Sequence, residues 1–594
     1  MAGTLTDILI ILALAVAITL ILGKLKLPAL IGLFAAGALI GPNGLALVGE
    51  PDRVDALAEV GVIFLLFALG LEFSFRKMVS LGRVLAVAGP VQVALTGALA
   101  GLVAWALGAS GTQSIVVGML VSLSSTAVVL KTLDERSEMA TPVGRNALGI
   151  LIFQDILVIP MMLLLPLLGG TPLEQGWSPL TLALSAVGLV VLAVVGTKWV
   201  VPRILLEAAR SRSADVFLMA VVAICFAVAA LSARLGLSLA LGAFLAGLIV
   251  SESPYSQQAL GYVLPFRNLL MSFFFVSIGM LLDLGFLANH WWAVLLAAAG
   301  LVMLKTLAGT VAVIAVRYPL RVAFATGGAL AQVGEFSFVL AVVAADHELL
   351  PSGLQQGLLA VAVLTMAVTP LVMAQAASAS SFLTQVRLPR WLAVGENLGE
   401  TSAPPRSGHL IVIGYGVNGR NLARAAREME IPYVVIEMNP DTVREETRGG
   451  EPIYYGDASN EAVLARAGAA RARIAAVVIG DPVATRRIVV LLRKLNPALH
   501  ILARTRFVSE VQPLHELGAD DVVPEEFETS LEIFRRAAGY FALPGEETER
   551  LITSIRADQY LLLHDSGQRR QHETSESRGI TGDRSPADGE PPQS

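Results

Sequence analysis

The chain has 594 residues, of which 55% are hydrophobic and only 15% charged, and its mean hydropathy is +0.68. That is too apolar for a wholly soluble protein, and the apolarity is confined to about the first 376 positions, so a membrane domain precedes a soluble one. The formal charge of −5 with a pI near 5.9 excludes nucleic acid as a partner, and the lone Cys225 excludes a disulfide framework and a thiolate metal cluster.

Thirteen apolar spans are predicted, over about 5–23, 27–41, 56–73, 84–107, 112–133, 144–168, 177–201, 214–233, 236–251, 261–282, 290–316, 321–345 and 355–376. The first has few flanking Lys or Arg and no small-residue cleavage site, which predicts a permanent span and not a signal peptide. Loops after odd-numbered spans carry fifteen basic residues, among them Lys24, Lys26, Arg76, Lys77, Arg83, Arg136, Arg145, Arg203, Arg210 and Arg317; those after even spans carry Arg53 and Arg234. The positive-inside rule then puts the N-terminus outside and the C-terminus in the cytosol, and the alternation supports an odd number of spans.

Within the sixth span, Gln154 and Asp155 stand near the middle. An ionised Asp there costs about 2.5 to 3.5 kcal/mol on insertion scales, so it is kept where it faces a wet cavity or a partner. Asp155 is therefore a functional candidate; the alternative is a hydrogen-bonded Asp that only ties helices together. Two spans carry polar interruptions: Ser122 to Val129 (SLSSTAVV) in the fifth and Gly327 to Phe338 (GGALAQVGEFSF) in the twelfth. Backbone leaves the helix inside a membrane only where protein or a water-filled cavity satisfies it, and matching breaks in two halves point to a binding site. The bland alternative for Ser124, Ser125 and Thr126 is bonding back to carbonyls of an unbroken helix. An odd offset between the two broken spans predicts an inverted repeat of spans 1–6 and 8–13, with span 7 as connector. Crossed half-helices bring ends of like sign together. Asp155 can face the positive ends and Lys305, in mid-span, the negative ones, with Glu335 a further compensating charge at depth. Glu72 is either a second cavity carboxylate or an ordinary interfacial residue.

The runs SLSSTAVV, FQDILVIP (153–160), FFFVSIGM (273–280) and QVGEFSFV (332–339) resemble monovalent cation:proton antiporters of the Kef type. The resemblance implies a helical antiporter with two crossed broken helices, a homodimer in the bacterial inner (plasma) membrane, and exchange of K+ or Na+ for H+. It makes Asp155 the ion-binding carboxylate, beside Gln154, with Ser124, Ser125 and Thr126 helping to coordinate the cation. Gln154, in place of a second aspartate, implies a one-for-one, electroneutral cycle. A single carboxylate that holds either H+ or a cation suffices for antiport, because the two exclude each other. The stretch SQQALGYVLPFR (256–267) lacks the acidic residues of glutathione-gated Kef systems, so glutathione control and its accessory subunit are not implied.

After the membrane domain (1–376) a linker (377–407) leads to a second domain over 408–545. It opens as strand HLIVI, then Gly414-x-Gly416-x-x-Gly419, a helix, and strand YVVIE ending at Glu437. Glycines at that spacing allow a tight turn and close approach of a pyrophosphate to a helix N-terminus, and the distal acid accepts from ribose hydroxyls. Further alternating strands and helices, ending in a helical stretch from Glu525 to Ala542, predict a six-stranded doubly wound α/β sheet. With GDAS (456–459) the domain resembles the RCK or TrkA-N regulatory type, which implies Asp457 near the adenosine of a bound nucleotide, AMP or NAD(H) before NADP(H). IGYG (413–416) is no channel filter, since it follows a soluble strand outside any bilayer-length run. No catalytic constellation, catalytic cofactor or metal beyond the transported cation is predicted, so the chain is read as a transporter and not an enzyme. The rivals are a nucleotide-gated K+-channel-like protein and a membrane-bound NAD-dependent oxidoreductase. The extension over 546–594 turns polar and Pro/Gly/Ser-rich from about 565, which predicts disorder.

Overall fold

With no water in the hydrocarbon core to satisfy backbone N–H and C=O groups, so apolar a chain must cross as helices. The computed structural model describes residues 2–24, 28–48, 51–72, 82–136, 138–139, 141–169, 196–234, 238–383, 407–541 and 545–556. Two compact units result, residues 1–395 and 396–594.

The first unit contains α1 (Ala2–Lys24), α2 (Ala29–Ile40), α3 (Pro51–Glu72), α4 (Val84–Ala106), the pair α5a (Gly111–Ser122) and α5b (Thr126–Glu135), and α6 (Pro142–Gly169). After the short α7 (Val201–Arg210) come α8 (Ala214–Arg234), α9 (Leu239–Ser251), α10 (Ser256–Met280), α11 (Leu284–Ala315), the pair α12a (Leu320–Ala329) and α12b (Glu335–Asp346), and α13 (Ser352–Leu383). Most of the predicted seventh span lies outside the described residues. Eight stretches are long and apolar enough to cross a membrane by length and composition alone, and α2 and α9 are shorter apolar helices. Large apolar side chains such as Leu9, Leu296 and Met303 are about two-thirds exposed (67%, 68% and 66%), as expected of surface that meets lipid. α13 continues past the predicted boundary at 376 because the run AQAASASSFL (374–383) contains neither Gly nor Pro to end it.

Glycine contacts reveal the inverted repeat. α2 packs on α10 where a Cβ on Gly37 would stand 2.0 Å from the Val276 carbonyl oxygen. α9 packs on α3 in the same way, a Cβ on Gly247 standing 2.2 Å from the Phe67 carbonyl oxygen. The second contact repeats the first with the halves exchanged, the relation expected of two repeats of opposite sense. The breaks also match. α5 is interrupted over Leu123–Ser125 and α12 over Leu330–Gly334.

The second unit is a parallel sheet in the order β3-β2-β1-β4-β5-β6. Its strands are β1 (Leu410–Ile413), β2 (Tyr433–Glu437), β3 (Ile453–Tyr455), β4 (Ile474–Val477), β5 (His500–Thr505) and β6 (Asp521–Pro524). The helices are α14 (Val417–Glu428), α15 (Pro440–Arg448), α16 (Glu461–Arg466), α17 (Pro482–Leu495), α18 (Val511–Glu516) and α19 (Glu525–Tyr540). The order is that of a doubly wound nucleotide-binding fold, whose strand order reverses beside β1, at the glycine-rich turn. A further helix over 545–556 packs Ile552 against Phe527 and Leu531 of α19, and Arg556 pairs with Glu528 at 2.6 Å. The tail predicted to be disordered from about 565 falls outside the described residues.

Crossed helices and the candidate ion site

Helix breaks expose backbone groups, and the structure accounts for them one by one. The Gly334 N–H donates to the Leu123 carbonyl at 3.1 Å, and the Ser124 hydroxyl donates to the Leu330 carbonyl at 2.9 Å. Ser337 of α12b donates to Leu120 of α5a at 2.6 Å. These bonds hold the two unwound segments against each other. Gly334 is required there, since a Cβ would stand 2.6 Å from the carbonyl of Ser124. Ser125 caps α5b, its hydroxyl accepting from the Val128 N–H at 3.2 Å.

Lys305, fully buried on α11, donates to the Leu123 carbonyl at 2.6 Å and to the Gln332 carbonyl at 2.7 Å. Its ammonium thus joins the negative ends of both broken helices. Gln154 is equally committed: its Oε1 accepts from the Ser124 N–H at 2.8 Å, and its Nε2 donates to Gln92 Oε1 at 2.6 Å. Gln92, from α4, in turn donates to the Ser122 carbonyl at 3.3 Å and to Thr96 at 3.1 Å. On the other side, Thr365 of α13 accepts from the Val333 N–H at 3.3 Å.

Asp155 stands apart from this scaffold. Its two oxygens accept from one donor, the Thr126 hydroxyl, at 3.2 and 3.1 Å, and the carboxylate is buried at the first turn of α5b. No basic side chain among the described residues pairs with it. A carboxylate facing a helix N-terminus with so few fixed partners keeps lone pairs for a proton or a metal cation, which compete for the same oxygens. Of the residues expected around the ion, the structure brings Thr126 to Asp155, while Ser124 and Gln154 hold the crossing and Ser125 caps α5b. Glu335 is the first residue of α12b and is buried beside the same junction. Glu72 pairs with Arg267 at 2.9 Å. A cavity of about 500 Å³ opens between α3, α9, α10 and α12b beside Glu59, Ser238 and Asp346, but Asp155 does not line it. Sequence reasoning missed Gln92 and Thr365. A polar amide in mid-span could have flagged Gln92, whereas threonine is too common in membrane helices to mark Thr365.

In the second unit each fingerprint glycine has its own reason. Gly414 has φ +98°, in the left-handed region. A Cβ on Gly419 would stand 1.9 Å from the Gly414 carbonyl oxygen, whereas around Gly416 nothing lies within 4 Å, which leaves room for a phosphate. Glu437 accepts from the N–H groups of Tyr415 (2.6 Å), Met438 (2.8 Å) and Asn439 (2.7 Å), so the acid at the end of β2 also fixes the turn. Asp457, buried after β3, accepts from the Ser459 N–H at 2.9 Å and hydroxyl at 2.6 Å.

Residues 10–377 match the transmembrane sodium/hydrogen exchanger family and residues 410–525 match the TrkA-N domain. A putative K(+) efflux antiporter KefB of Alkalimonas amylolytica is 30% identical over 562 residues, 94% of this chain and 85% of that protein. The chain belongs to the Kef-type cation:proton antiporters. The chloroplastic K(+) efflux antiporter 1 of Arabidopsis thaliana is 33% identical over 538 residues, 89% of this chain but 44% of that one, so this antiporter spans under half of that relative's length. Among solved structures, the sodium proton antiporter MjNhaP1 from Methanocaldococcus jannaschii aligns with 64% of this chain and 98% of its own, at 16% identity and a TM-score of 0.49. By its family matches and its K(+) efflux relative, this Kef-type antiporter is an integral membrane protein that exchanges a cation for protons, followed by a Rossmann-like TrkA-N domain. Membership in a family of transporters sets aside both the channel and the oxidoreductase readings.

Proposed function

We propose that this antiporter exchanges K+ for H+ one for one at Asp155, as a homodimer in a bacterial inner membrane with the N-terminus outside, and that AMP or NAD(H) at the TrkA-N domain modulates the exchange. The observation that carries this reading is the Asp155 carboxylate, buried in the membrane unit with both oxygens accepting from the Thr126 hydroxyl. Either a proton or a cation neutralises it, and occupancy by one excludes the other. The preference for K+ over Na+ rests on the relatives' names. One-for-one exchange rests on Gln154 being a neutral amide engaged with backbone. The room at Gly416 and the position of Glu437 favour a nucleotide without a 2′-phosphate. Because a ligand shifts a two-state equilibrium only by its differential affinity, typically about 1 to 3 kcal/mol of coupling, graded control is expected and not absolute dependence.

Purified full-length protein in proteoliposomes with an internal pH-sensitive dye tests this. Gradients of K+ are expected to drive proton movement faster than gradients of Na+ or Li+, and added AMP or NADH to change the rate several-fold in the wild type but not in Gly416→Asp. Proton movement that ignores every alkali cation refutes the exchange. A wild-type rate unchanged by AMP, NAD+ and NADH refutes the control.

A further inference from the structure

Helix packing divides the membrane unit into two bundles, α1–α3 with α8–α10 and α4–α6 with α11–α13. The chain passes from the first bundle to the second at two places, after α3 and after α10. At the second of these, Gln356 of α13 clasps the turn: its Oε1 accepts from the Asp283 N–H at 3.0 Å and its Nε2 donates to the Leu281 carbonyl at 2.7 Å. Leu281 also lines the cavity of about 500 Å³, which lies between the bundles, with α3, α9 and α10 on one side and α12b on the other. The clasped turn therefore borders the opening.

The inverted repeat places Asn146 at the position of Gln356. Each stands fourteen residues before a proline inside its helix, Pro160 in α6 and Pro370 in α13. Gly149, one turn beyond Asn146, abuts the start of α4, where a Cβ would stand 2.7 Å from Val84 Cγ1, as Gln356 abuts the start of α11 at Asp283. Leu281 has a counterpart as well. Gly279 meets Gly37 and Gly70 meets Gly247, an added Cβ standing 3.0 and 2.9 Å from the partner's Cα, and Leu281 and Glu72 each follow two residues later. Yet Asn146 is fully buried, and neither its Oδ1 nor its Nδ2 has a hydrogen-bond partner among the described residues. A buried amide with both atoms unmatched is costly, and a second conformation that pairs it accounts for its presence.

We propose that Asn146 and Gln356 are alternate latches of the transport cycle. In the conformation described, with the cavity beside Leu281 open, Gln356 is engaged and Asn146 is not. When the bundles rock so that the site faces the other side of the membrane, the two repeats exchange conformations. Asn146 Nδ2 then donates to the Glu72 carbonyl at the end of α3, and Gln356 releases the Leu281 carbonyl. Each latch favours one state by hydrogen bonds made only there. Both are positioning residues that act through the bundles and not on the ion, so the inference does not depend on which group carries the cation.

The test places a thiol in the cavity wall, Ala240→Cys, in the full-length protein in detergent; Cys225, the one native cysteine, is fully buried. Alkylation by a polar maleimide then reads the fraction of molecules with the cavity open. Asn146→Leu removes the latch of the other state and is expected to alkylate no slower than the parent. Gln356→Leu removes the latch of the state described and is expected to alkylate at least about three-fold more slowly. Asn146→Leu added to Gln356→Leu is expected to bring the rate back toward the parent's, which an independent structural defect does not do. Exchange in proteoliposomes is expected to fall several-fold in both single variants, because each biases the cycle toward one state. Equal alkylation in the two folded single variants overturns the inference, as does a double variant no faster than Gln356→Leu, and either result leaves exchange at Asp155 standing. Should Gln356→Leu fail to fold, Gln356→Asn, whose shorter amide loses the clasp, is measured in its place with the same expectations.

Discussion

The two halves of the membrane unit solve one backbone problem with different chemistry. In the first half the freed N–H of Ser124 goes to Gln154 and the Ser122 carbonyl to Gln92, both neutral amides. In the second, the N–H of Val333 goes to Thr365 and the Gln332 carbonyl to Lys305. Pro160 inside α6 and Pro370 inside α13 align the halves, and Asp155 and Thr365 then occupy the same place, each five residues before the proline. A hydroxyl serves the fold at that position in one half, so the carboxylate in the other exceeds what packing requires. Likewise Gln92 shows that a neutral donor satisfies a freed carbonyl, whereas Lys305 brings a full charge to the ends of two helices. Each half thus carries one ionised group, Asp155 or Lys305, at a place where its sister half manages with a neutral one.

That comparison can be broken at three points. The largest effect is expected from Lys305→Met, which leaves the buried Gln332 carbonyl without its donor, at about 1 to 3 kcal/mol, and the Leu123 carbonyl with the Gly334 N–H alone; the melting temperature of the purified protein should fall by several °C. A variant with wild-type stability and lost K+ response would instead make Lys305 an ion-site residue. Gln92→Leu removes a neutral donor from one carbonyl, and about 2 kcal/mol of destabilisation is expected with the K+-dependent thermal shift preserved. If that shift disappears, the amide network around Gln92 takes part in ion binding and the contrast between charged and neutral positions fails. Thr365→Val is expected to be mildest, about 1 kcal/mol, with exchange in proteoliposomes within a factor of about two of wild type.

Much of this was readable from sequence for a single physical reason: lipid makes polar groups expensive, so Asp155, Lys305 and the two interrupted spans stand out against their surroundings. The glycine fingerprint was readable because backbone geometry dictates residue type, as the positive φ of Gly414 and the close approach at Gly419 show. What stayed hidden depends on partners distant in sequence. Gln92 and Thr365 serve backbone groups 30 and 32 residues away, which no local pattern reveals. For Gln154 and Ser124, neighbours of the acid and of the break, only the crossing shows that Gln154 Oε1 accepts from the Ser124 N–H and that the Ser124 hydroxyl donates to the Leu330 carbonyl. In the soluble unit β6 is four residues long with every other side chain exposed, and it ends in Pro524, so its sequence carries little strand signal.

The most direct measurement is cation-driven proton flux through Asp155→Asn in proteoliposomes, beside wild type reconstituted at equal density. The expected result is flux at the protein-free baseline from a variant that keeps the wild-type helical content and melting profile. Flux within a few-fold of wild type would contradict the assignment of exchange to this carboxylate.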